Sequence, residues 1–395
     1  MARIVRRPED AARYTLRLYD EPLLEFVLSP EDPARRRNGC AVSDAIVLSE
    51  KTHLFPYGLT ASCEGIESWL RDRIIPENRY YADEILESLG LRRSDMKGIL
   101  DASKGVSLND SYRVSRSDET GSFAECNAYE NPFDDALGAV ALTGRATPCR
   151  RASVTPELTT GGMLPKAWGI EGTGIYLYKG GTSGFANSGL EPYSEYFASQ
   201  IARKMELDAV EYGLTFREGR LVSRCGLFTD IDTSFVSAGV VVPQGGILAC
   251  ISFFDSLGAR FSEAIRSMIV FDALVYQQDR HFGNFGVLRD NRTGKITAPA
   301  PVFDNGASLF CYAMADEIET GEKLENYAQT RRPPYRETYS ELCAISLKKL
   351  QRRQVKRLVD FSFERHPEYA FPEERLRTIE RHLQRRVVRF LNNEW

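Results

Sequence analysis

Two carboxylates, an amide and a histidine fall at the ends of two short strands expected in VYQQDRHFGNFGVLRDNRTGKITAPAPVFDNGASLF, residues 275–310. Asp279 follows a run with helical apolar spacing, and Arg280, His281 and Gly283 break that run, which places Asp279 in a loop. Asn284 comes five residues later, at the start of the short strand FGVL. The turn RDNRTGK leads to ITAPAPVF, which ends at Asp304. In a hairpin the first residue of one strand lies beside the last residue of the other, so Asn284 and Asp304 are predicted to meet at one end. An amide oxygen and a carboxylate oxygen facing one space are hard ligands, suited to a magnesium ion carrying phosphates and ill suited to zinc. A further carboxylate, Asp279, can orient an attacking hydroxyl and accept its proton. The chemistry such a set would do is phosphoryl transfer, with magnesium offsetting the repulsion between carboxylates and phosphates. Each residue singly has a plainer reading, Asp279 as a helix cap and the others as turns. It is the three at this spacing that make the pattern specific.

That chemistry also needs a cation for nucleotide phosphates. Lys179 in IYLYKGG is the candidate, because a cation on an otherwise apolar strand requires an anionic partner. Glu195, expected in the first turn of the next amphipathic helix, could orient it as the helix glutamate of protein kinases orients the strand lysine. Upstream, Gly161 and Gly162 in TTGGMLPKAW let the backbone approach phosphates closely. The plainer alternatives are a lysine ending an edge strand in water, a glutamate favouring a helix N-terminus, and an ordinary turn.

The elements that must position these residues are partly legible. RYTLRLYDEPLLEFVLS alternates around a turn and reads as a β-hairpin. EGIESWLRDRI, RYYADEILESLGL and RSDMKGILDASKG read as helices, the last with Ser94 or Asp95 as N-cap. Residues 1–115 are therefore expected to form a mixed, mainly helical extension. From about Leu137 to Val242 short strands are expected, including RLVSRCGLF and SFVSAGVVV, interrupted by the helix YSEYFASQIARKMEL. Beyond about Gly246 helices dominate, ending in the basic amphipathic pair SLKKLQRRQVKRLVDFSF and EERLRTIERHLQRRVVRFL. The second of these has an apolar stripe of Leu376, Ile379, Leu383 and Val387. The expected divisions are 1–115, a strand-rich nucleotide-binding lobe over 116–245 and a helical catalytic lobe over 246–395.

At 395 residues with a net charge of −4, the chain shows no bulk attraction for polyanions, which argues against direct nucleic-acid binding. Eight scattered cysteines without a CxxC pair argue against a zinc module and suit reduced core thiols. No signal-peptide core or membrane-length apolar run is present, so a cytoplasmic protein is expected.

Taken in order, these pieces resemble the HipA-like serine/threonine kinases. TTGGMLPKAW is similar to that family's S-x-x-G-x-x-x-K phosphate loop, with Gly162 and Lys166 at the matching places. YLYKGG and SEYFASQIA resemble its nucleotide-lysine strand and glutamate helix, and DRHFGNFG and VFDNG match its D-x-H-x-x-N loop and metal aspartate. The resemblance covers about residues 95–310 with gaps. It implies an α+β, bilobal protein-kinase-like fold, with a strand-rich small lobe, an all-helical large lobe and an N-terminal extension. It further implies Asp279 as catalytic base, Asn284 and Asp304 on Mg2+, and Lys179 on the ATP phosphates. His281 would either contact the transferring phosphate or brace the loop. Where the family carries an autophosphorylated serine this chain has Thr159, with Thr160 beside it. Several members are toxins paired with a DNA-binding antitoxin and phosphorylate a protein, so the resemblance implies a protein substrate and an antitoxin partner. Two alternatives stay open. DRHFGN also resembles the D-R-H-x-x-N loop of phosphoinositide kinases, which points to a lipid or small-molecule kinase. The basic C-terminal helices would suit a non-catalytic pseudokinase that serves as a binding module.

Overall fold

A computed structural model of the chain describes residues 11–29, 41–149, 154–184 and 186–394, so part of the extension expected over 1–115 lies outside the described residues. The chain divides into two units, Met1–Leu177 with Thr229–Phe235 and Arg289–Ile296, and Tyr178–Phe228 with Val236–Leu288 and Thr297–Trp395.

In the first unit, β1 (Ala12–Leu18) and β2 (Glu21–Ser29) pair antiparallel, with Tyr14 opposite Phe26 and Leu16 opposite Leu24. Side chains alternate along a strand, so this register sets Tyr14, Leu16, Leu24 and Phe26 on one buried face. Two strands not read from the sequence, β3 (Ala41–Val47) and β4 (Tyr112–Arg116), complete a sheet in the order β3-β2-β1-β4. Helices α1 (Cys63–Arg71), α2 (Ala82–Ser88) and α3 (Met96–Ser103) fill the interval. Ser62 and Asp95 cap α1 and α3 by accepting from the Gly65 and Gly98 amides. Ile66 and Leu70 of α1 and Met96 and Leu100 of α3 close the core against the sheet.

Where short strands are expected from about Leu137, the chain forms α4 (Asp135–Thr143). Its residues DALGAVALT are nearly all apolar, so no helical period shows, and the Asp134 carboxylate starts it by accepting from the Ala136 and Leu137 amides. β5 (Lys166–Glu171) and β6 (Gly174–Gly180) follow as a hairpin.

In the second unit, α5 (Glu191–Lys204) buries Phe197 and Ile201, and Met205 just beyond it is buried as well, as its period predicts. β7 (Tyr212–Arg217) and β8 (Arg220–Gly226) pair antiparallel with Tyr212 opposite Cys225. β9 (Thr233–Ser237), whose residues up to Phe235 belong to the first unit, stops where SFVSAGVVV is expected to continue, and the single turn α6 (Ala238–Val241) replaces its second half. Two long helices follow, α7 (Gly246–Ser256) and α8 (Ala259–Val275). From Ser267 to Gln277 every residue of α8 and its cap is buried, so this helix forms the centre of the unit. β10 (Gly286–Asp290) and β11 (Ile296–Pro299) come next. The unit ends with α9 (Gly321–Gln329), α10 (Tyr339–Ser346), α11 (Lys349–Lys356) and α12 (Glu373–Asn392). α11 is shorter than the basic run suggests, whereas α12 buries Leu376, Ile379, Leu383 and Val387 as predicted. No helix among the described residues is long and apolar enough to cross a membrane.

Candidate active site

The segment after α8 begins with a left-handed residue, Tyr276 (φ +53°), whose amide bonds back to Asp272 and ends the helix. The chain then turns through Gln277–Asn284 before β10 begins at Gly286, two residues beyond Asn284 rather than at it. Arg280, fully buried, ties this loop to the segment that follows β11. Its guanidinium pairs with Asp272 at 2.9 Å and donates to the Asn284 carbonyl at 3.2 Å, to the Phe303 carbonyl, and to Asn305 Oδ1 at 2.6 Å. Asn284 and residues 303–305 are thus held around one side chain. Burial alone would push the guanidinium down, but Asp272 outweighs it and raises it above its ordinary value. A paired, fully hydrogen-bonded arginine is the form in which such a charge is tolerated inside a protein.

Asn284 Nδ2 donates to the Asp279 carbonyl at 2.8 Å, which orients the amide and turns its oxygen to the other side. His281 Nδ1 accepts from the Gly283 amide at 3.0 Å and braces the loop. The Asp279 carboxylate reaches solvent, yet the protein crowded around it raises its pKa. Asp304 adds to that rise, while His281, Lys179 and Arg280 oppose it.

Lys179, near the end of β6, lies between two carboxylates. Its ammonium donates to Glu195 of α5 and, at 2.6 Å, to Asp304 Oδ1. Lys179 and Glu195 are almost wholly buried, whereas the Asp304 side chain keeps 30% of its surface. Burial would lower the ammonium's pKa, but Asp304 and Glu195 prevail and raise it, so the lysine stays charged. Glu195 stands in the second turn of α5 rather than the first, because the helix starts at Glu191. Its second oxygen accepts from the Asn305 amide at 2.7 Å. Asp304 has φ +56°, the left-handed region that few side chains favour. Its amide donates to the Tyr212 hydroxyl at 3.0 Å and its carbonyl accepts from Gln277 Nε2 at 2.8 Å. Asp279, His281, Asn284, Asp304, Lys179 and Glu195 all belong to the second unit.

The phosphate-loop candidates belong to the first unit. Thr159 is buried and its hydroxyl donates to the Val106 carbonyl at 2.8 Å. Thr160 donates to the Pro156 carbonyl at 2.7 Å and accepts from Trp168 Nε1 at 2.9 Å. Lys166 folds back so that its ammonium donates to the Gly161 carbonyl at 2.9 Å. Gly162 has φ +84°, a left-handed backbone that favours glycine, and a Cβ there would displace only the flexible end of Lys166. A fully buried Arg79 holds this loop by donating to Glu157 Oε2 at 2.5 Å and to the Thr160 and Lys166 carbonyls.

Gln277, Arg280 with Asp272, and Tyr212 are the residues sequence reasoning missed. Asp272 carried a signal, since a carboxylate inside the apolar run IVFDALV demands a cation, and Arg280 is the nearest one beyond the helix. Tyr212 carried none.

The chain is thus a mixed α/β protein with a lysine–carboxylate cluster beside a hairpin-anchored loop. No family model matches the chain, and no curated protein matches it. Among solved structures, it is similar to a chain of the Shewanella oneidensis MR-1 toxin–antitoxin complex of HipA, HipB and operator DNA, with 13% identity and a TM-score of 0.52 over 96% of this chain and 97% of that one. It is also similar to the Helicobacter pylori proinflammatory kinase CtkA, with 16% identity and a TM-score of 0.45 over 58% of this chain and 92% of that one. The first likeness establishes the fold, and it falls on the same HipA-like proteins that the motifs resemble.

Proposed function

We propose that this protein is an ATP- and Mg2+-dependent serine/threonine protein kinase of HipA-like type. The observation that carries the reading is Lys179 held between Glu195 and Asp304, in the same unit as a loop that presents Asp279 and Asn284. In protein kinases a strand lysine paired with a helix glutamate and a metal-binding aspartate serve the nucleotide phosphates. On this reading Asp279 is the general base, Lys179 meets the phosphates and Glu195 orients it. The donor set fits magnesium: Asn284 and Asp304 offer hard oxygens and no sulfur. Two protein ligands suit an ion that keeps water and substrate phosphates as its others. Bound there with ATP, it would neutralise charge on the transferring phosphoryl group.

The proposal extends to a bilobal arrangement, with residues 116–245 as nucleotide lobe, 246–395 as catalytic lobe and 1–115 as an extension. From the motif match alone, Gly161, Gly162 and Lys166 are assigned to ATP phosphates, and Thr159 or Thr160 to autophosphorylation. The HipA neighbour, solved with HipB and operator DNA, extends the reading to a toxin with an antitoxin protein as partner.

Labelled ATP added to cell lysate with the wild-type chain should label protein. Asp279→Asn should lower transfer by about 10²-fold or more while Mg-nucleotide binding persists. Undiminished transfer by that variant would refute the assignment, and label found in lipid would replace protein as the acceptor.

A further inference from the structure

We infer that Gln277 is a positioning residue that sets the spacing between Asp279 and Asp304. The inference rests on the phosphoryl-transfer reading of this site. Gln277 is fully buried at the end of α8. Its Oε1 accepts from the Asp279 amide at 3.0 Å, and its Nε2 donates to the Asp304 carbonyl at 2.8 Å. One carboxamide therefore spans the backbones of the proposed base and the proposed metal aspartate, residues 25 apart in sequence. The bridge is itself anchored. The Gln277 amide donates to the Asp272 carbonyl at 2.9 Å, and its carbonyl accepts from the Tyr339 hydroxyl at 2.6 Å.

The chemistry of the position singles out glutamine. Its two partners are one N–H and one C=O, so the side chain must offer an acceptor and a donor side by side, and the partners decide which end is which. A carboxylate would set oxygen against the Asp304 carbonyl, and a thioether would answer neither group. The need is greatest at Asp304, whose left-handed backbone persists only where surroundings hold it. Gln277 takes its carbonyl, Tyr212 its amide, and Glu195 the next amide. Without Gln277 one of these holds is lost, and the restraint on Asp279 goes with it.

The test measures phosphate transfer against Mg2+ concentration at alkaline pH for full-length wild type, Gln277→Glu and Gln277→Met. Gln277→Glu keeps an acceptor for Asp279 and loses the donor to Asp304, so its half-saturating Mg2+ should rise several-fold, with a smaller fall in kcat than in Gln277→Met. Gln277→Met loses both bonds and should also lose kcat by about tenfold to a hundredfold. A mere loss of folded protein would scale kcat and leave the metal requirement unmoved, so the shift in Mg2+ dependence identifies positioning. Should Gln277→Met not fold, the Mg2+ curve of Gln277→Glu decides. Variants with wild-type Mg2+ dependence overturn the inference and leave the kinase reading standing. A wild type inert toward Mg-ATP overturns the kinase reading, and the inference with it.

Discussion

Asp279 illustrates how one side chain meets opposing demands. Its carboxylate reaches solvent, where an acceptor hydroxyl can approach, while burial of its surroundings and the Asp304 charge raise its pKa. A base acts only when ionised, so transfer should fall with acid at a pH above that of an ordinary aspartate, near ~3.9. The same shift has a sign for stability. A folded-state pKa above the unfolded value means that the folded chain holds the proton more tightly, so the favourable contribution is complete below the unfolded pKa and is lost as pH rises through the folded one. Ionised Asp279 therefore opposes folding at neutral pH. Asp279→Asn should have a Tm at neutral pH at or above wild type, with the gap closing in acid. A neutral-pH Tm below wild type would show the carboxylate to be stabilising.

Elements vary in how openly they declare themselves. α12 was legible because its apolar residues at 376, 379, 383 and 387 keep a helical period against a charged remainder, and all four are buried. Leu383→Ala should cost about 2–5 kcal/mol in urea unfolding, the range for emptying a buried leucine site. A change under about 0.5 kcal/mol, typical of a surface position, would place α12 outside the core. α4 was not legible, since beyond Asp135 its outer positions are filled by Ala136 and Ala139 rather than charged residues, which leaves no polar face to set its phase. α6 was hidden for a related reason: AGVVV favours a strand by composition, yet the Ala238 amide bonds to the Phe285 carbonyl and the segment turns. Local preference yields there to a partner 47 residues away.

Over the whole molecule, what could be read of the candidate site was what lies close in sequence. Asp279, Asn284 and Asp304 flank one hairpin, β10–β11, and hairpin geometry is set locally. Tyr212, 92 residues before Asp304, was beyond reach because only the folded chain brings β7 to that amide. The two units make a further outcome measurable. The lysine–carboxylate cluster and Leu383 all belong to the second unit. A non-hydrolysable ATP analogue with Mg2+, at a hundredfold excess over its Kd, should stabilise that unit by about 2.7 kcal/mol. In calorimetry it should raise the same transition that Leu383→Ala lowers. A rise confined to a transition that Leu383→Ala leaves unmoved would exclude nucleotide binding at this cluster.

Cys225 lies across the β7–β8 pair from Tyr212, and burial pushes its thiol up to about 12. At physiological pH it carries almost no thiolate, so alkylating reagents and electrophilic inhibitors find no nucleophile beside Lys179. Covalent capture at that position would require the strands to part. The sulfur is thus a built-in clock for opening of this end of the molecule, mute while the fold is closed and marked once it breathes.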